Sequence, residues 1–316
     1  MRLCIEGLTF AYGTKTVLDR IHLQVDSMVT AIIGPNAVGK TTFLKCICGM
    51  LKPEGKITLD GRDLGTFDRK GLARIVGYLP QEIPGRTALS VLEAVLLGRL
   101  YSLSWRVSDD DLNIALEALE ELGIADLALR PLRELSGGQR QLVSIAQVLV
   151  QQPEILLMDE PTSNLDLQHQ LEILALIKEM SRERGLATLI AIHDLNLAAR
   201  YADNIVVLYR GQTYISGKPA FVLTPETIQT VYGVHARVSF DDDGVPLITP
   251  VQSVRGKCLR SQSSHVGAWY HKPLPGASVT PGSRVGDQVC EERGKGDNIW
   301  PSRCEGRDRY VGQERG

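Results

Sequence analysis

Four short apolar runs constrain this chain more than anything else in it. "VTAIIG" (29–34), "EILLMD" (154–159), "ATLIAIH" (187–193) and "NIVVLY" (204–209) lack the apolar-polar alternation that marks a strand with one face in water. Strands of this kind are covered on both faces, and helices packed on either side of a parallel sheet supply that cover. From residue 1 to about 250 such strands alternate with longer helical runs, so an α/β fold with a mostly parallel core sheet is expected. Ahead of them, "LCIEGLTFAYG" and "LDRIHLQV" do alternate, as an antiparallel edge layer would.

Between about 88 and 132 the strand signals stop. Ser90 and Glu93 are spaced as a capping box, and "SDDDLNIALEALEELGI" opens with three acidic residues that favour the positive end of a helix. A helical subdomain reaching to about 150 is therefore expected. From 251 to 316 the composition turns to Gly, Arg, Ser and Pro with few Ile, Leu or Phe, too little apolar area to offset the entropy of ordering, so a disordered tail is expected. Cys258, His265, His271, Cys290 and Cys304 in that tail match no usual zinc spacing. Cys46 and Cys48, two apart on a predicted helix, diverge and read as filler.

The 316 residues carry a formal net charge of −2, which gives no general field to attract nucleic acid. No run reaches the roughly 18 apolar residues of a membrane span. The start "MRLCIEGLTFAYG" has none of the parts of a signal peptide, so a cytoplasmic location is expected.

"GPNAVGKT" fits G-x-x-x-x-G-K-[ST] from Gly34 to Thr41, between the strand "VTAIIG" and the helix "KTTFLKCICGML". In that setting the loop Gly34, Pro35, Asn36, Ala37, Val38 and Gly39 turns backbone N–H groups and a helix N-terminus onto one point, which suits a phosphate. Lys40 is positioned for the β and γ phosphates, the Thr41 hydroxyl for Mg²⁺, and Thr42 for a further phosphate contact. "ILLMDEP" (155–161) ends a buried strand in two carboxylates, an arrangement that is costly without a cation or a solvated cleft. Asp159 can hold Mg²⁺ through water, and Glu160, aimed the other way, can orient or deprotonate an attacking water.

A second phosphate device stands about a hundred residues on. In "LSGGQRQ" (135–141) Ser136 can cap the following helix, while Gly137 and Gly138 bare the backbone to an anion. Two glycines in a first turn cost roughly 1 kcal/mol each against alanine, which a ligand would repay.

Over residues 1 to about 250 the chain resembles the ATP-binding subunits of ABC transporters, a P-loop NTPase family. "GPNAVGKTT" is similar to Walker A, "ILLMDE" to Walker B, "LSGGQ" to the ABC signature and "SNLD" (163–166) to the D-loop. Gln81 in "YLPQE" matches the Q-loop and His193 in "AIHD" the switch histidine. The resemblance implies that Tyr12 stacks on adenine, that Gln81 joins Thr41 and Asp159 around Mg²⁺, and that His193 touches the γ-phosphate beside Glu160. It also implies a homodimer of two copies facing head to tail, each ATP lying between Walker A of one copy and Ser136, Gly137, Gly138 and Gln139 of the other, with Asp166 at the seam.

Within the family, "HDLNLAARYADNIVVLYRGQTYISGKPAFVLTPETIQTVYGV" looks most like ATPases of importers for iron(III) complexes, cobalamin and haem, and iron(III)-siderophore uptake is the first choice. Membrane-spanning permease subunits, an external substrate-binding protein and a peripheral site on the cytoplasmic face of the cell membrane are implied. The alternatives are a cobalamin or haem importer and, in another class, a soluble ABC ATPase working on nucleic acid or ribosomes; no nucleic-acid partner is expected. Two residues depart from the pattern. Ala37 replaces a usual glycine, tolerable if its φ is negative, and Gln147 replaces a frequent arginine, at the expense of a local ion pair.

Overall fold

A computed structural model describes residues 1–254 apart from 27, 82–87, 101–106 and 164. The expected disordered tail and the cysteines and histidines discussed within it lie, from residue 255 on, outside the described residues. The chain starts with the antiparallel pair β1 (Arg2–Tyr12) and β2 (Lys15–Asp26), then enters β3 (Val29–Ile33) and helix α1 (Lys40–Ile47). Strands β4 (Glu54–Leu59) and β5 (Arg62–Asp63) return to the first layer, and α2 (Arg69–Ile75) leads to β6 (Val76–Leu79). The helical stretch holds α3 (Val91–Leu97), α4 (Asp109–Glu121) and α5 (Gly137–Leu149). Alternation resumes with β7 (Ile155–Asp159), α6 (Leu167–Glu183), β8 (Ala187–Ala191), α7 (Leu195–Tyr201) and β9 (Asn204–Tyr209). β10 (Gln212–Gly217), α8 (Pro219–Val222) and α9 (Pro225–Tyr232) precede a hairpin of β11 (Val234–Phe240) and β12 (Pro246–Ser253).

The core sheet runs β10-β9-β3-β8-β7-β6, parallel throughout except for the antiparallel edge strand β10. The expected edge layer is the antiparallel sheet β2-β1-β4-β5. Burial explains why the core strands lack alternation. Along β7, Ile155 and Leu157 join one apolar cluster with Phe43 of α1 and Leu3, Ile5 and Ile21 of the edge layer. Leu156 and Met158 face the other way, into a cluster with Ile145 of α5, Ile173 and Ile177 of α6 and Ala198 of α7. Each such side chain removed from water contributes about 1.5–3 kcal/mol, on both sides of the sheet at once.

The expected capping box at Ser90 is present, and the structure adds a second one at Ser108. The Ser90 Oγ accepts the Glu93 N–H while Glu93 returns a bond to the Ser90 N–H at 2.7 Å, and Ser108 and Asp111 repeat the arrangement at the head of α4. Arg99, at the exit of α3, donates to Asp111 at 2.6 Å and to the Val150 carbonyl at 2.8 Å, clasping all three helices. Gln147 of α5 has its backbone carbonyl close against Gly98. The last strand runs to Ser253, past the expected boundary at 250. Among the described residues no helix is long and apolar enough to cross a membrane.

Candidate nucleotide site

In an open parallel sheet the carboxyl ends of the strands share one edge, and ligands bind there. Here the sheet order sets β3, β8, β7 and β6 side by side, and register aligns Ile32 with Ala191 and Ala191 with Asp159. The segments leaving those ends are therefore neighbours although their residues are far apart in the chain. They carry the Gly34–Thr42 loop after β3, Gln81 after β6, Asp159 and Glu160 at β7, and His193 after β8. A cavity of about 550 Å³ opens at this edge, within the range of small-molecule sites, lined among others by Tyr12, Asn36, Lys40, Thr41, Gln81, Glu160 and His193.

The loop curls around its own lysine. Lys40 is buried at the start of α1, and its Nζ donates to the carbonyls of Gly34 at 2.9 Å and Pro35 at 3.3 Å. Burial lowers its pKa, while the negative charges of Glu160 and Asp159 act in the opposite direction. Gly39 caps α1 at φ 112°, and a Cβ there would meet Leu18 Cδ2 at 2.9 Å, so glycine is required. Ala37 does not meet the expectation of a negative φ: it stands at 60°. The Val38 N–H bonds the Pro35 carbonyl at 3.3 Å, and a reversal closed in this way places its third residue, Ala37, in the left-handed conformation. Thr42 is buried but lines the cavity, Val38 packs into the core cluster, and Asn36 is exposed at the rim.

The two carboxylates ending β7 differ in their surroundings. Asp159 is buried, and its Oδ1 has no hydrogen-bond partner. Burial pushes its pKa up, opposed chiefly by a bond from the Thr41 hydroxyl. An unpartnered buried carboxylate oxygen beside a threonine hydroxyl is a donor set for a hard cation. Burial likewise raises the Tyr78 phenol, with the charge of Asp159 a secondary cause.

Glu160 also has positive φ, at 53°, held by its N–H bond to the Ala191 carbonyl at 3.1 Å and by Ser163, whose hydroxyl donates to the Glu160 carbonyl at 3.0 Å. That turn swings its side chain into the cavity. There Oε2 accepts from Gln81 Nε2 at 2.7 Å, and Oε1 bonds His193 Nε2. Gln81 therefore braces Glu160 here rather than standing against Asp159. Tyr12 ends β1 half-exposed at the cavity mouth, edge-on to Phe10 with ring centroids 4.9 Å apart.

Ser136, Gly137, Gly138 and Gln139 do not line this cavity. They form the first turn of α5, where Ser136 Oγ accepts the Gln139 N–H at 3.2 Å and Gln139 Oε1 accepts the Ser136 N–H at 3.0 Å. Asp166 caps α6 and is largely exposed. His169 went unnoticed in the sequence: its Nδ1 lies 2.6 Å from Asp166 Oδ1. Only its spacing of three from an N-cap aspartate could have signalled it.

A family model described as ABC transporter matches residues 18–163. An uncharacterized ABC transporter ATP-binding protein of Methanocaldococcus jannaschii is 44% identical over 253 residues, 79% of this chain and 98% of the relative. The ferric enterobactin transport ATP-binding protein of Escherichia coli is 38% identical over 79% of this chain and 94% of its own length. Among solved structures, the dimeric structure of a bacterial ABC transporter cassette is similar with a TM-score of 0.61 and 28% identity, covering 69% of this chain and 98% of that one.

Proposed function

Because the chain belongs to the ATP-binding subunits of ABC transporters, an ATPase family, we propose that it powers an importer of iron(III) complexes, most closely the siderophore type, by hydrolysing ATP between two of its copies. The observation that carries the reading is the division of the phosphate devices: Lys40, Thr41, Gln81, Glu160 and His193 share one cavity, while Ser136 to Gln139 lie outside it. In the proposed dimer the signature turn of the partner closes over the cavity and completes it. Two helix N-termini then aim at one triphosphate, each suited to negative charge. Loss of the γ-phosphate removes the contacts that favour the closed pair, and so turns hydrolysis into motion.

Within the site, Tyr12 stacks on the base, Lys40 leaves its carbonyl partners for the phosphates, and Thr42 and the loop N–H groups from Asn36 onward hold the oxygens. Thr41 and Asp159 would hold Mg²⁺, a role supported by the unpartnered Asp159 oxygen, and Gln81 would join them only by turning from Glu160. When bound, the ion neutralises charge developing on the β and γ oxygens. Glu160 acts as base on the attacking water. His193 and Gln81 hold its carboxylate in place, so the group is oriented before substrate arrives.

The ferric enterobactin relative supports an iron complex as cargo, with cobalamin or haem as the alternative. Membrane-spanning permease subunits carry the cargo path, an external binding protein delivers to them, and the ATPase sits at the cytoplasmic face of the membrane. Glu160→Gln tests the chemistry: turnover is expected to fall by about 10²–10⁴, with ATP still bound and a stable dimer trapped. Parent-level turnover in that variant refutes the assignment of the base. Reconstitution with its permease and binding protein tests the cargo, uptake of a ferric siderophore supporting the reading and uptake of cobalamin or haem alone overturning it.

A further inference from the structure

The signature turn leans on the D-loop. A Cβ added to Gly138 would lie 2.4 Å from Cδ2 and 3.0 Å from Nε2 of His169, and one on Gly137 would meet Leu165 Cδ2 at 3.9 Å. The imidazole thus lies against bare signature backbone on one side. On the other, its Nδ1 is 2.6 Å from Asp166 Oδ1, the same oxygen that accepts the His169 backbone N–H at 3.0 Å. The following residue continues the attachment, Gln170 Nε2 donating to the Thr162 carbonyl at 3.2 Å.

An N-cap aspartate exposed at a surface is free to swing, because one backbone N–H fixes one oxygen and little else. A second donor on the same oxygen restrains it. The ring that supplies this donor is itself packed against Gly138, so Asp166 and the signature turn are fixed relative to each other through one side chain. The bond to Asp166 raises the proton affinity of His169, while that of Asp166 is lowered first by the His169 backbone N–H and then by the ring. Glycine at 138 has a second reason here besides phosphate approach: any side chain would displace the imidazole.

We propose that His169 is a positioning residue that locks Asp166 to the Gly137–Gly138 turn, so that the two elements one protomer offers to its partner's nucleotide move as a single rigid half-site. The inference rests on the two-protomer ATP site proposed above. Both elements keep their own caps without it, since the Ser136–Gln139 box and the Asp166 bond to the residue 169 N–H involve no imidazole. Removing the ring therefore loosens their mutual register and leaves each turn folded.

The test measures ATP-driven dimerisation by sedimentation in the Glu160→Gln protein, alongside binding of a fluorescent ATP analogue to the monomer. With His169→Ala added, the dimer is expected to weaken by about tenfold while monomer binding stays unchanged, as loss of a hydrogen bond to a charged group implies. His169→Asn, whose amide nitrogen falls near the Nδ1 position, should recover most of the affinity, and His169→Phe, which fills the space without the bond, should not. Asp166→Asn combined with His169→Ala should be no weaker than the worse single variant, because the two act as one unit. Parent-like dimerisation of His169→Ala, additive Asp166 and His169 effects, or equal loss of monomer binding overturns the proposal. A Glu160→Gln parent that never dimerises overturns instead the two-protomer reading on which it rests.

Discussion

Replacing Ala37 by glycine should make the nucleotide-free protein more stable, although it deletes a methyl group from a structured loop. Ala37 is held at φ 60°, where a residue with a Cβ costs about 1–2 kcal/mol more than glycine. The methyl is exposed, so its removal forfeits little burial. Against the gain stands the freedom that glycine adds to the unfolded chain, about 0.4–1 kcal/mol. The difference favours Ala37→Gly by about 0.5–1 kcal/mol. For a domain of this size that is a rise in Tm of about 1–4 °C. Urea denaturation, read as a shift in midpoint at constant slope, measures it directly. The left-handed conformation is present before nucleotide binds, so ATP affinity should stay within about threefold of the parent. A variant less stable than the parent by more than about 0.5 kcal/mol would refute the reasoning, because it would mean that the strain assigned to this position is absent.

Phe43, fully buried between α1 and the edge layer, should cost about 3–5 kcal/mol when truncated to alanine, read by the same denaturation. Asn196 of α7 donates to the Ile248 carbonyl at 3.2 Å and accepts its N–H at 2.8 Å, standing in for a neighbouring strand to β12. Asn196→Ala should cost about 1–3 kcal/mol and speed hydrogen exchange at the Ile248 amide; unchanged exchange would show the pair to be idle. His169 should titrate by NMR above its ordinary 6.5 and Asp166 below its ordinary 3.8. A raised histidine contributes stability that is full below 6.5 and is lost as pH rises through the raised value. A lowered aspartate contributes stability that is present above 3.8 and is lost as pH falls through the lowered value. The pair thus supports the fold most between those limits, and Asp166→Asn should return His169 to its ordinary range.

The parallel core was readable because burial on both faces leaves its mark on every position of β3, β7 and β8 and on all but the two ends of β9. Strands β4, β5, β6, β10 and the β11–β12 hairpin were not picked out, since their identity depends on which edge is free to pair with them. β10 alternates half-buried and exposed residues along an antiparallel edge, and β12 reaches Ser253 because β11 and Asn196 offer it partners. The heads of α3 and α5 were readable. Side chains a fixed three positions apart satisfy orphan N–H groups wherever the helix ends up, so Ser90 and Ser136 mark their helices without tertiary help, as Ser108 does for α4 in the structure.

What the chain determined by itself is therefore the local chemistry: which strands are buried, where helices begin, and which loop carries Lys40, which strand end carries Asp159 and Glu160, and which turn bares Gly137 and Gly138. Those follow from neighbours along the backbone, whose geometry is set by covalent spacing. Tertiary structure alone decided the left-handed turns at Ala37 and Glu160, the grip of Gln81 and His193 on one carboxylate, and the seat of His169 on Gly138. Each of these joins or strains segments through space, and a contact between distant residues has no energy until the sheet has brought its strand ends to a common edge.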